Sequence, residues 1–305
     1  MPNMKAIKRR RLTVKNISQI TKAMNLVATS KLQRAKNALA SVSQPVQATF
    51  DIVYNTISHP KALEHPLMEP RQVKNIAYVV ITGNRGLCGG YNSNICKAVI
   101  AHAKTQDATP IIIPVGTKGR DYLSRRGYNI THPFTEEAPG FDTATALASL
   151  LVDLYTTAQV DEVYIAYTQF ITVLSLEPLV RKVLPIDPEY LRLILADNLQ
   201  PEENWEDIGF FPRPTSQRSQ AEIEFEPDLA TVLENVVPWY LNMFLHGAIT
   251  SANLCEHAAR MTSMDSSTKN AHDIIERLTL QYNRQRQSII TQEITEIVSG
   301  ANALN

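Results

Sequence analysis

From Ala248 to Ser299 the chain runs for 52 residues without a glycine or a proline, the two residues that most often interrupt a helix. Apolar or small residues recur there at alternating steps of three and four: Met261, Met264, Thr268, Ala271, Ile275, Leu278, Tyr282 and, beyond a polar Gln285, Ile289. Such spacing keeps one stripe on one side of an α-helix. At about 1.5 Å per residue the helix would be roughly 78 Å long. Uncapped helices of this length belong to coiled coils, membrane spans or helical repeats. Glu276, Arg277, Arg284, Arg286, Glu293 and Glu296 break every apolar run, which removes the membrane span. The pattern predicts a rod, and a rod needs a partner.

A second uninterrupted stretch, Asn3 to Gln44, holds 42 residues. Ile7, Val14, Ile17, Thr21, Met24, Ala28, Ala35, Ala38 and Val42 alternate in the same way, interrupted by Arg10 and Lys31. Pro45 is expected to kink this helix, because it loses a backbone bond and crowds the preceding turn. Two heptad-like helices at opposite ends of a chain, with a folded domain between them, predict an antiparallel two-stranded coiled coil. Both stripes are rich in Thr, Ala, Met and charge, so the seam is weak and a further protein is expected around it.

Between the helices the rhythm changes. Lys74–Thr82 is a short apolar run ending at a glycine, the pattern of a buried strand. Asn92–Lys104 reads as a helix, Pro110–Val115 as a strand, Lys118–Arg126 as a helix and Asp142–Ala158 as a helix capped by Asp142. Val160–Phe170 reads as a strand, with Thr172–Pro185 returning beside it as a hairpin. Alternating strands and helices predict a mainly parallel sheet with crossover helices. Gln200–Gln220 reads as a loop, and Pro238 and Gly247 are expected to bend the first turns of the last helix. The divisions are thus an N-terminal coiled-coil helix (1–58), a central Rossmann-like α/β domain (73–200), an acidic loop (201–227) and a C-terminal coiled-coil helix (228–305).

Charge refines this picture. Lys plus Arg and Asp plus Glu number 30 each in 305 residues, yet residues 1–50 carry ten basic side chains and no acid. Residues 184–228 carry eleven acids against Arg192, Arg213 and Arg218. Different segments therefore face different electrostatic partners. Cys88, Cys96 and Cys255 have no metal-ligand spacing and read as reduced thiols. The seven histidines are scattered.

Two stretches invite a chemical reading. Gly83–Asn92 (GNRGLCGGYN) follows a strand and precedes a helix, where backbone N–H groups could cradle a phosphate. It matches neither GxGxxG nor GxxxxGK[ST], so a tight strand-to-helix turn is the favoured reading. Cys88 within it reads as inert. The run Lys8–Arg11 fits nucleic acid, an acidic membrane surface, a solvated helix face or a shaft within acidic loops of another protein. Aromatic residues for base stacking are absent from the first 49 positions, which disfavours nucleic acid. No catalytic triad, paired acids or metal motif emerges, and two long helices point to a mechanical role.

At this point the motifs become specific. Ile20-Thr21-Lys22-Ala23-Met24, continuing through Val27-Ala28 to Lys31-Leu32, resembles the N-terminal signature of the gamma subunits of F-type ATP synthases. AARMTSMDSSTKNA (Ala258–Ala271) and LTLQYNRQRQSIITQEITEIVSGANAL (Leu278–Leu304) are similar to that family's C-terminal motifs, and GLCGGYN to its central loop. The resemblance covers essentially the whole chain. Asn84 stands where the family usually has Asp, and Ser267 where it usually has Ala.

The resemblance implies a rotor shaft: an antiparallel coiled coil inside a ring of alpha and beta subunits, with the α/β domain near the epsilon subunit and the membrane ring of c subunits. It implies a non-catalytic chain without cofactor or metal, whose asymmetric surface drives the catalytic beta subunits through their states. It places Arg286 and Gln287 against a beta-subunit loop. It also makes Met24 coupling-sensitive, with Arg260, Thr291, Glu293 and Glu296 as its short-range partners. Location at the cytoplasmic side of a bacterial inner membrane, as a peripheral subunit, is expected because no separable presequence precedes the ITKAM motif. The alternatives are a nucleic-acid-binding coiled coil and a nucleotide-binding α/β protein.

Overall fold

A computed structural model describes residues 4–57, 65–187, 225–226 and 228–303. The chain is mixed α/β, with the order α1 (Met4–Ile57), β1 (Asn75–Ile81), α2 (Tyr91–Thr105), β2 (Thr109–Val115), α3 (Thr117–Ser124), β3 (Asn129–Ile130), α4 (Phe141–Thr156), β4 (Glu162–Phe170), β5 (Leu176–Leu184) and α5 (Leu229–Ala303). It divides into two compact units, one of Met1–Thr29 with Arg260–Asn305, the other of Ser30–Ala259. The loop expected over Gln200–Gln220 lies outside the described residues.

In the first unit α1 and α5 run antiparallel. The Arg11 guanidinium lies over the Tyr282 ring at 5.4 Å, Thr21 meets Thr268, and the Asn25 amide donates to the Met261 carbonyl at 3.3 Å. On α5 the expected stripe is the seam: Met264, Ala271 and Leu278 are buried, with Met261, Thr268, Ile275, Tyr282, Gln285 and Ile289 half-buried between them. On α1, one seam row is the expected one, Ile7, Val14, Thr21 and Ala28. The other is displaced by one residue. Arg11, Ser18 and Asn25 occupy it, where apolarity favoured Ile17 and Met24. Ile17 is instead 48% exposed. The same seven-residue spacing continues in the second unit through the buried Leu32, Leu39, Val46 and Val53, a seam row of two helices. Pro45 does not end α1; the helix carries on to Ile57, and the Thr49 hydroxyl bonds the Pro45 carbonyl.

The second unit is built on a five-stranded sheet in the order β3-β2-β1-β4-β5. β1 pairs in parallel with β2 and β4, and β2 with β3. β5 returns antiparallel along β4, the expected hairpin. One face packs Ile76, Tyr78 and Val80 of β1 against Ile95, Cys96 and Val99 of α2. On the other face Tyr167 of β4 meets Phe244 of α5 edge-on, ring centroids 6.3 Å apart. Phe244 joins Phe50 and Tyr240 in an aromatic cluster that locks α1 to α5 within this unit. Asp142 is not the cap of α4. The helix begins at Phe141 after Gly140, whose N–H is held by the Thr143 hydroxyl, leaving Asp142 in the first turn, where its charge suits the helix dipole. Asp228 does cap α5, accepting from the N–H and hydroxyl of Thr231.

Candidate coupling surface

In the helix pair several polar groups sit in the seam among the apolar ones, and several large apolar side chains face outward. The seam holds Arg11, Ser18, Thr21, Asn25, Thr268 and Gln285. The outside carries Leu12, Ile17, Ile20, Leu26 and Val27 on α1, and Leu280, Ile290, Ile294, Ile297 and Val298 on α5, with Ile297 70% exposed. Seam polarity is tolerable where a partner is at hand: a ring for Arg11, a carbonyl for Asn25, a helix carbonyl for both threonines. Outward apolar side chains on this scale mark a surface that another protein covers.

Seven residues of α1 precede Arg11, whereas 21 of α5 follow Tyr282, on which Arg11 lies, so α5 continues past the start of α1. Every side chain from Ile290 to Ser299 is exposed. Arg286 and Gln287 are exposed at the base of this stretch; Thr291, Glu293 and Glu296 are exposed along it. The Thr291 hydroxyl bonds its own helix, at the Gln287 carbonyl, and Glu296 accepts from Gln292. Met24 and Arg260 are half-buried at one level of the seam, beside the Asn25–Met261 bond. The expectation that Met24 also neighbours Thr291, Glu293 and Glu296 is corrected. Thirty helical residues separate Met261 from Thr291, about 45 Å of rise. The residues form two groups, not one.

The glycine-rich turn after β1 is anchored to its own protein at both ends, with Arg85, Gly86, Leu87 and Gly89 exposed between. The Gly83 N–H donates to Asn92 Oδ1 at 2.8 Å. Asn84 accepts from the Thr117 N–H at the start of α3 and donates to the Glu136 carbonyl. An aspartate at 84 could make only the first of these bonds. Cys88 is buried and receives Asn92 Nδ2 at 3.2 Å. In open α/β sheets ligands bind beyond the carboxyl ends of the strands, where strand order reverses. Here that crevice lies past β1 and β4, and α5 fills it. The Ser251 hydroxyl and Cys255 thiol both reach the Thr168 carbonyl. Tyr91 Oη donates to the Ala252 carbonyl. Glu256 lies so close to Gly83 that a Cβ there would stand 2.7 Å from its carboxylate. An acid in the phosphate position opposes an anionic ligand. The turn is a packing device, and the nucleotide-binding alternative loses its site.

Burial raises the Cys96 thiol to about 12 and moves the Cys255 thiol up as well, so both stay protonated and unreactive. Glu256 is a site residue that sequence alone does not mark. It meets its loop from more than 170 positions away, and no local pattern announces that.

The family model of ATP synthase matches residues 3–304. The chain is 40% identical over 308 residues to the ATP synthase gamma chain of Lachnoclostridium phytofermentans and 37% identical over 306 residues to that of Pelotomaculum thermopropionicum, covering 100% of each chain in both cases. Its fold resembles a chain in the Euglena gracilis mitochondrial ATP synthase OSCP/F1/c-ring structure, with a TM-score of 0.64 at 19% identity, covering 99% of this chain and 94% of that one. A chain of the Tetrahymena thermophila central stalk and c-ring matches with a TM-score of 0.54 at 23% identity, covering 81% and 98%.

Proposed function

This chain belongs to the gamma-chain family of ATP synthase and serves as its rotary central-stalk subunit; we propose that it does so without chemistry of its own, by turning inside a ring of alpha and beta subunits. The observation that carries this reading is the helix pair that keeps Ser18 and Asn25 in its seam while Ile17, Ile20 and Leu26 face outward. A free coiled coil gains by burying Ile17, Ile20 and Leu26 rather than Ser18 and Asn25. A shaft that is always sheathed has its outer face buried by the sleeve. Contacts that differ around the shaft stabilise different conformations of each surrounding subunit, and turning it shifts those populations in sequence.

Arg286 and Gln287 are the proposed contacts with a beta-subunit loop, supported by their exposure at the base of the protruding turns of α5. Thr291, Glu293 and Glu296 extend that surface, while Met24 and Arg260 act at a second level. The epsilon subunit and the c ring are proposed partners of the central sheet domain. Among the described residues no helix is long and apolar enough to cross a membrane. Attachment at the cytoplasmic face of the inner membrane, through those partners, is the proposed location.

Co-expression with alpha and beta subunits tests the reading. It predicts a stable complex in which the three chains co-purify and hydrolyse ATP. An alpha–beta ring that assembles fully while this chain remains outside it overturns the reading.

A further inference from the structure

We propose that the central sheet domain grips α5 through a clasp at residues 251–256, and that Glu256 against Gly83 is the positioning contact that keeps the helix from twisting. The proposal rests on the rotary reading, since only a shaft under torque needs such a grip.

Five residues within two turns of α5 are held by four separate segments. Ser251 and Cys255 bond the Thr168 carbonyl near the end of β4. The Ala252 carbonyl accepts from Tyr91 at the start of α2, at 3.0 Å. The Asn253 amide donates to the Pro139 carbonyl before α4, at 3.3 Å. Glu256 closes on Gly83 after β1. Successive helix residues point about 100° apart, so these contacts span roughly 200° of the circumference of α5. A helix held along one line can roll; one held across more than half its girth cannot. Gly83 matters because its missing side chain is the space that the Glu256 carboxylate fills. The same helix continues to Ala303, so twist resisted here is delivered to its far turns.

The test uses the complete membrane-bound complex, assembled in a bacterial host whose own gamma chain is deleted. Protons taken up per ATP hydrolysed is the readout, because a purely structural defect lowers the amount of assembled complex without changing this ratio. Gly83→Ala is expected to lower the ratio several-fold, as the new methyl displaces Glu256. Adding Glu256→Ala empties the space again and is expected to recover much of the loss. Glu256→Gln, which keeps the shape, is expected to retain the ratio. Should Gly83→Ala fail to assemble, Tyr91→Phe with Asn253→Ala removes two bonds without adding an atom at the turn, and the ratio is expected to fall. A parental ratio in assembled Gly83→Ala complexes, no recovery in the double variant, or a parental ratio in the Tyr91/Asn253 variant overturns the clasp. If the parent chain itself supports no ATP-driven uptake, the rotary reading fails instead. Chemical unfolding of the full isolated chain then decides the contact: coupling between Gly83→Ala and Glu256→Ala supports it, and strict additivity overturns it.

Discussion

Thr21 and Thr268 face each other across the helix pair with their hydroxyl oxygens 2.8 Å apart. Each also reaches its own helix, Thr21 to the Ser18 carbonyl and Thr268 to the Met264 carbonyl. The cross-helix bond therefore competes with two local ones and contributes little net stability. Replacing both partners of a hydrogen bond by apolar groups of the same shape is close to neutral or stabilising. Thr21→Val with Thr268→Val is expected to leave the thermal midpoint unchanged or raised. A loss above about 2 kcal/mol, larger than one net hydrogen bond, would show that the pair is needed for the seam.

Arg11 and Arg286 separate stability from coupling. Arg11 lies over the Tyr282 ring in the seam, a contact worth about 0.5–1 kcal/mol near a surface. Arg286 is exposed. Arg11→Ala should lower unfolding stability by about that amount, whereas Arg286→Ala should change it by less than about 0.5 kcal/mol and still reduce ATP synthesis. Denaturant titration and synthesis rates in energised vesicles, measured on both variants, check the contrast. Unchanged synthesis and rotation in Arg286→Ala would remove that residue from the proposed contact.

Met24 is half-buried beside the Asn25–Met261 bond. Met24→Lys places a cation at the edge of the seam, within reach of acids on a surrounding subunit. An added ion pair that must break at every step is expected to lower protons pumped per ATP hydrolysed. Normal pumping in that variant refutes the idea.

Among the described residues, His246 is one of three histidines of the central domain, with His65 and His102, whose pKa burial lowers. Its ring packs edge-on against Phe141, its Nδ1 is buried without a hydrogen bond, and burial holds its pKa below the ordinary 6.5. Below pH 6.5 the unfolded chain takes up this proton before the folded one does, so stability falls as pH drops from there through the lowered folded value. His246→Gln should flatten that slope. Unfolding curves from pH 7.5 to pH 5 check for a partial flattening, since His65 and His102 keep their share, and an unchanged slope would assign the sensitivity to those two.

Gly116 has a φ of 100°, and a side chain there would strike the Thr82 carbonyl. Gly116→Ala is expected to cost at least about 1–3 kcal/mol, the range for a strained backbone residue. A midpoint equal to that of the parent would mean that the β2–α3 turn adjusts freely.

Much of this was legible before the fold was seen, and the failures share a cause. The strand and helix order of the middle follows from apolar runs bounded by glycine and proline, and the α5 stripe from its spacing. The α1 seam was read one residue off in one row because Ile17 and Met24 are more apolar than Ser18 and Asn25. Apolarity finds the buried face only when solvent is the alternative; on this helix it also tracks the outer face. β3 has two residues, too few for any periodicity. Glu256 and the crevice it closes depend on contacts between distant segments. The family motifs point to the proposed coupling residues, and the antiparallel register separates Met24 and Arg260 from the group beyond Arg286.

The most direct measurement is single-molecule rotation. The chain would be assembled with alpha and beta subunits, and a bead attached through a cysteine introduced on the exposed surface of the central domain. Upon ATP addition, one-directional stepping of the bead is predicted. An assembled complex that hydrolyses ATP while the bead only fluctuates would contradict the shaft role.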